Sequence, residues 1–385
     1  MYGIRDYLAW RGDLTFAQSP LNVVDLVCLS QLVTSDMDYP AKKSCTLKVL
    51  FDYYADSGKA LSKLGLIVPF EINLLFKDMA ESHRFGNITV KNYVYEADLQ
   101  KQTQFSAVTF DTSRERIVCF SATDDTIVGW KENFNMAEGK PTYAQLQSVE
   151  YLQKACKTIR KVYVIGHSKG GNLALYSLAH CDDTTAERVE KCYCFDGPGL
   201  DEKTFRARRM AKRLPKMCAV LPRDSVIGRI FYHMEEVVVV TSNKTGLYQH
   251  DCFSWRVRRD SFVPSPDGFS VESNAIESRL KVILQSTDAK QRASLFKNFF
   301  DYLYGDGRRT LSELSNNRKH LLSWYMALPK EDKKVCNYVV SQLIKEPAIH
   351  KIVTSSLKQM RLSRGDEGKM EKEMREGLFN AKSAK

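Results

Sequence analysis

Several things are missing from these 385 residues. No run approaches the roughly eighteen apolar residues that a membrane-crossing helix needs, so nothing in the sequence is expected to span a bilayer. The first residues, Met1-Tyr-Gly-Ile-Arg-Asp-Tyr7, hold no apolar signal region. There is no paired C-x-x-C with histidines at zinc spacing, and no metal or cofactor is expected. Internal repeats and base-reading modules are also absent, so nucleic acid is not expected as a partner. Ten cysteines remain to be explained, and several lie inside apolar strand-like runs, where a reduced thiol acts as a small hydrophobe. Cys192-Tyr-Cys194 alternates along one strand face and reads as core. A reducing cytoplasm is the simplest compartment for such a chain.

What is present is a normal core and a surplus of positive charge. Hydrophobic residues make up 43% and charged residues 27%, with a net charge of +11. Such charge favours acidic surfaces without choosing among them.

Residues 1–100 read as mostly helical, with apolar spacing over Asn22–Val33, Leu47–Tyr54 and Ile72–Met79. The period then changes. Phe105–Phe110 and Ile117–Ser121 are β-rich runs around the polar stretch Asp111–Arg116, which predicts a hairpin. Helices and strands alternate from there: helix Tyr143–Thr158, strand Val162–Ile165, helix Gly171–His180, strand Cys192–Phe195, helix Glu202–Leu214, strand Cys218–Leu221, helix Ser225–Met234 and strand Glu236–Thr241. This alternation predicts an α/β fold with a mainly parallel central sheet covered by helices on both faces. Pro264-Ser-Pro-Asp-Gly268 marks a break. Beyond it, Ile276–Leu284, Ala293–Tyr304, Leu311–Met326 and Val335–Leu343 predict a helical appendage or cap over 270–350, followed by a charged tail over 362–385. The expected units are thus a helical part (1–100), an α/β core (101–262), the appendage and the tail.

The segment that carries chemistry is Val162-Tyr-Val-Ile-Gly166-His-Ser168-Lys-Gly170 with the apolar helix behind it. Strand, G-x-S-x-G and helix in that order form a nucleophile elbow. It holds a serine above the sheet and points free helix N–H groups at the same spot. Ser168 is the expected nucleophile. A serine needs a base, and the base needs an orienting acid, in chain order Ser, Asp or Glu, His. The strand Cys218–Leu221 leads to Asp224, and Glu236–Thr241 leads to a loop with His250. His250 is the expected base and Asp224 the preferred acid. Asp196, which ends the preceding strand in Phe195-Asp-Gly-Pro-Gly199, is the alternative acid. His167 lies inside the elbow and is expected to face away from the serine. The oxyanion donors expected are the backbone N–H of Lys169 and Thr123, in the loop after Phe120.

Together with Tyr7-Leu-Ala-Trp-Arg-Gly-Asp13, the Asn22/Asp25 helix, Gln104–Phe110, Gly166–Ala174, Phe195–Gly199, Pro222–Gly228 and His250-Asp-Cys-Phe-Ser-Trp255, these motifs carry a resemblance. Over roughly residues 1–260 the chain resembles the lipase-like α/β-hydrolases related to class-three (fungal-type) lipases, and in particular their bacterial Mbeg-like branch. The resemblance implies an α/β-hydrolase fold and hydrolysis of an ester or lipid. It also implies a triad on the positions matched by Ser168, Asp224 and His250. Where that group usually has Phe-Arg-Gly followed by Thr or Ser, this chain has Phe120-Ser121-Ala122-Thr123. The activity expected is a serine hydrolase cleaving carboxylic esters. A thioesterase or amidase with the same triad, or a binding module without turnover, are the alternatives.

Lys203–Lys216 carries seven positive charges and no acid. With Phe205, Met210 and Leu214 as a narrow apolar stripe, it reads either as a solvated outer helix or as a contact with an anionic membrane.

Overall fold

The inner strands of the central sheet divide their side chains between two cores, and that division organises the molecule. Val118 and Phe120 point one way and Ile117 and Cys119 the other. The same split separates Val162 and Val164 from Ile165, Cys192 and Cys194 from Phe195, and Ala219 and Leu221 from Cys218 and Val220. This is the period-two pattern of a sheet buried on both faces.

The computed structural model describes residues 2–383 except 66–67, 139, 159, 306, 308, 315–318 and 364–366. The chain begins with α1 (Ile4–Arg11), α2 (Val23–Leu32), α3 (Asp38–Lys43), β1 (Ser44–Thr46), α4 (Leu47–Asp56) and α5 (Glu71–Glu81). Then come β2 (Thr89–Asp98), β3 (Thr103–Asp111), β4 (Glu115–Phe120), α6 (Ile127–Asn135), α7 (Tyr143–Ala155), β5 (Lys161–His167) and α8 (Lys169–His180). The core continues through α9 (Asp183–Arg188), β6 (Val189–Phe195), α10 (Glu202–Arg206), α11 (Met210–Arg213), β7 (Met217–Pro222), β8 (Glu236–Val240) and the small pair β9 (Val257–Arg258) and β10 (Ser261–Phe262). Helices α12 (Val271–Ser286), α13 (Ala289–Gly305), α14 (Leu311–Leu314), α15 (Lys319–Ala327), α16 (Lys330–Ile344), α17 (Pro347–Ser363) and α18 (Glu367–Ser383) follow.

The eight strands lie in strict chain order, β1 to β8. The pairs from β1 to β4 are antiparallel and those from β4 to β8 parallel. Right-handed crossovers that always step in the same direction place their helices on one face. Accordingly α7, α8, α9, α10 and α11 all contribute to one core. The other face is covered by the N-terminal helices, which supply Val24, Val27, Leu50, Leu75 and Phe76 against Ile165, Phe195, Val220 and Val240. A buried ion pair fixes this layer. Arg84 Nε donates to Asp25 Oδ1 at 2.7 Å, Tyr7 Oη donates to the same oxygen at 2.7 Å, and the guanidinium also reaches the carbonyls of Leu14, Ser19 and Pro20. The Tyr7 and Asn22/Asp25 motifs therefore describe one clamp.

Several sequence expectations are corrected. Residues 1–100 also hold a ten-residue strand, β2. Its register shifts between Lys91 and Val94, with Asn92 at φ 56°, and this bulge interrupts the alternation that would have marked it. The helix expected over Ser225–Met234 is only a single turn at Ile227–Arg229. Phe231 at φ 65° stops it, and Tyr232 bridges to Leu200. The helix expected over Glu202–Leu214 breaks at Ala207, whose ψ of 136° is extended. Its apolar residues do not face outward: Phe205 and Met210 are buried in the second core, and Leu214 packs beside them. The stripe is therefore unavailable for insertion into a bilayer. The helix expected over Leu311–Met326 includes 315–318, which lie outside the described residues, as do 364–366 and 384–385 of the tail. Within the tail, α18 packs on the N-terminal layer: Met374 is fully buried, and Glu373 pairs with Arg5 at 2.7 Å. Among the described residues no helix is long and apolar enough to cross a membrane.

Candidate active site

Ser168 sits between β5 and α8 at φ 55°, ψ −124°, a conformation that side chains rarely adopt. It is imposed by how closely the chain passes itself. A Cβ on Gly166 would collide with the backbone of Gly170, and one on Gly170 with the carbonyl of Phe120. The half-buried serine thus heads a helix whose first N–H groups have no intrahelical acceptor.

The parallel ladder brings the next strand end alongside. Ser168 N donates to Phe195 O at 2.9 Å, and Asp196 follows at φ 40°. His250 Nδ1 lies 2.7 Å from Asp196 Oδ2. A carboxylate accepts, so Nδ1 carries a hydrogen, and in the neutral ring Nε2 then holds the lone pair. Asp196 is almost fully buried, while the His250 side chain is 30% exposed. The carboxylate also accepts from Ser225 Oγ at 2.5 Å and Gly228 N at 3.2 Å. Three donors on one buried carboxylate fix its orientation toward His250.

Asp224, the preferred acid from the sequence, is not the partner of His250. It lies beyond the end of β7, and its Oδ2 accepts from Gln249 Nε2 at 2.8 Å and Gly246 N at 3.2 Å, while its own N–H donates to Gln249 Oε1 at 2.9 Å. It braces the turn that presents His250. The Pro222–Gly228 motif therefore divides its work: Asp224 holds the histidine turn, and Ser225 and Gly228 hold Asp196. Trp255 completes the brace, its buried indole donating to Gln249 O at 2.7 Å.

Thr123 follows β4 and is buried. Its hydroxyl is engaged with Asn133 of α6, whose Nδ2 donates to it at 2.8 Å. Lys169, singled out for its backbone, has a side chain that sequence reading missed. Its ammonium is buried and meets Glu132 Oε2 at 2.8 Å, Gln104 Oε1 at 2.9 Å and the Gln104 carbonyl. Glu132 also accepts from Thr103 Oγ1, Gln104 N and Ala144 N at 2.9–3.0 Å. This saturated ion pair ties the helix behind Thr123 to the first turn of the elbow helix. The signal available was an acid inside the amphipathic run that became α6, with no partner on its own helix.

The C-terminal region touches the segments that follow β7, β8 and β4. Ser273 Oγ of α12 donates to Ser225 O at 2.7 Å, Leu247 N donates to Ser356 Oγ of α17 at 3.0 Å, and Ile127 N donates to Arg309 O at 2.8 Å.

A strained serine between strand and helix, at the carboxyl end of a largely parallel sheet with histidine and aspartate loops beside it, defines the α/β-hydrolase type of architecture. The chain belongs to the Mbeg1-like family, which matches residues 79–301, more than half its length, and is a lipase-like, α/β-hydrolase-related family. Comparison with curated proteins gives no match.

Proposed function

We propose that this protein is a serine hydrolase that cleaves carboxylic esters through an acyl-enzyme, with Ser168, His250 and Asp196 as its triad. The observation that carries the reading is the 2.7 Å contact of His250 Nδ1 with buried Asp196, on the strand next to the strained serine. Ser168 Oγ attacks the ester carbonyl while His250 Nε2 takes its proton. The imidazolium is stabilised by Asp196, which stays ionised. The oxyanion is received by the N–H of Lys169 and by the N–H of Thr123, whose hydroxyl is already committed to Asn133. His250 returns the proton to the departing alkoxide. Water, deprotonated by the same nitrogen, then releases the acid and restores the serine.

The exposed cations Lys203, Arg208, Arg209 and Lys212 would give an anionic lipid surface a purely electrostatic contact, since Phe205 and Met210 are turned inward. Such binding to phosphatidylglycerol vesicles should vanish as salt is raised.

The test is hydrolysis of p-nitrophenyl esters of two to sixteen carbons by the wild type and Ser168→Ala, with fluorophosphonate labelling mapped by mass. Turnover and a Ser168 adduct in the wild type, both lost in the variant, are expected. Absence of both turnover and adduct in the wild type refutes the enzyme. Thioester and amide panels then fix the leaving group.

A further inference from the structure

His167 is the last residue of β5, and the sequence predicts only that it faces away from the serine. It is buried directly against the proposed base. Its ring centroid is 4.6 Å from that of His250, with 33° between the planes, and its Nε2 lies 2.9 Å from the main-chain carbonyl of His250. A carbonyl oxygen only accepts, so Nε2 of His167 must carry the hydrogen. That fixes the tautomer without reference to pH or substrate. Burial, reinforced by the neighbouring His250, pushes the His167 pKa down to about 3.

The surroundings leave this ring one polar task. The titratable groups that act on it are His250 and Asp196. Asp196 is occupied by His250 Nδ1, Ser225 and Gly228. Asp251, the next residue along, is paired with Lys244 at 2.7 Å, and Asp224 is spent on Gly246 and Gln249. Asp224 and Trp255 hold the turn one residue before the base. Asp196 holds the side chain of the base, and among the described contacts His167 holds its carbonyl.

We propose that His167 is a positioning residue for His250: its Nε2–H anchors the base's main chain, and its neutral face backs the imidazole. This rests on the reading of Ser168 and His250 as nucleophile and base. Asp196 alone fixes one atom of the ring and leaves it free to swing about that hydrogen bond. A second anchor on the backbone of the same residue sets where Nε2 points. When His250 takes the serine proton, the new cation faces an uncharged π-system rather than a second cation.

The test compares His167→Phe, which keeps a ring and loses the donor, with His167→Gln, whose Nε2 can reach the same carbonyl, and His167→Asn, whose shorter amide cannot. The expected result is a kcat for the Phe and Asn variants that falls by roughly tenfold to a hundredfold with KM nearly unchanged, and partial recovery in the Gln variant. Histidine-selective 15N NMR on the full chain gives a readout that needs no turnover. His167 should show one neutral Nε2–H form between about pH 5 and 9, and the titration of His250 should move in the Phe variant. The proposal is overturned if His167 titrates above about pH 5 or carries its proton on Nδ1, or if His167→Phe changes neither kcat nor the His250 titration. A wild type with no ester turnover and no Ser168 adduct would overturn the hydrolase reading instead, and the NMR arm would still decide the placement of His167.

Discussion

Replacing Asp196 by Asn separates the two candidate acids, and the outcome can be worked out from the contacts. The buried carboxylate accepts from Ser225 Oγ, Gly228 N and His250 Nδ1. An amide has one oxygen and one NH2. The Gly228 N–H cannot become an acceptor, so the amide oxygen must stay there and the NH2 must turn to His250. Nδ1 then has to accept, the ring proton moves to Nε2, and the base has no lone pair for Ser168. The loss expected is on the order of 10⁴-fold in kcat, about 5.5 kcal/mol at ~1.4 kcal/mol per decade, with little change in melting temperature. Asp224→Asn differs, because a single amide oxygen can still accept from both Gly246 N and Gln249 Nε2. It loses only charge assistance, roughly 1–2 kcal/mol of stability, and should keep kcat within about tenfold. Ester hydrolysis and thermal melts on both variants decide the matter. A collapse of kcat in Asp224→Asn, with Asp196→Asn near wild type, would refute the argument.

Other outcomes follow from the same contacts. Glu132→Gln leaves the Lys169 ammonium buried without its counter-charge and should destabilise the protein by about 3–5 kcal/mol, read as a lower denaturant midpoint. In a double-mutant cycle, Glu132→Leu with Lys169→Met should be much less destabilising than the sum of the single changes. Stability should fall on acidification. His167 stays neutral when folded down to about 3, whereas an unfolded histidine binds a proton near 6.5. Between those values the unfolded chain holds more protons, so stability present above about pH 6.5 drains away as pH drops toward 3. His180, also lowered by burial, adds in the same sense. Melts of His167→Phe across that range should show a shallower slope than the wild type.

Much of this was legible because local rules and tertiary needs agree. The strand and helix around Ser168 read correctly since the glycine spacing and the apolar runs on either side point to one turn. The His250 loop could be placed because a β-branched strand of five residues, Glu236–Val240, has few alternatives. Chain order alone fits Asp196 and Asp224 equally, so it did not tell which carboxylate meets His250. What separates them is where each strand stops: β6 runs straight into Asp196, whereas Asp224 lies past the end of β7. Asp-Gly-Pro-Gly also reads as turn chemistry and hides a carboxylate used by three donors. The Lys169–Glu132 pair and the His167–His250 contact were invisible for another reason: both join residues far apart in the chain, and no local period encodes a partner of that kind.

The ordering of the strands bears on how the chain must be made. Because the sheet winds in one direction only, its second face stays bare until the N-terminal helices close over it, and those helices emerge first. Val24 and Val27 share a core with Val240. A ribosome adding roughly 5–20 residues per second would leave that helical layer waiting on the order of ten to forty seconds for the last strand it covers. During synthesis, then, the first helices form an adhesive apolar surface with nothing yet to adhere to. A nascent chain stalled before β8 should be captured by chaperones far more readily than one stalled after it.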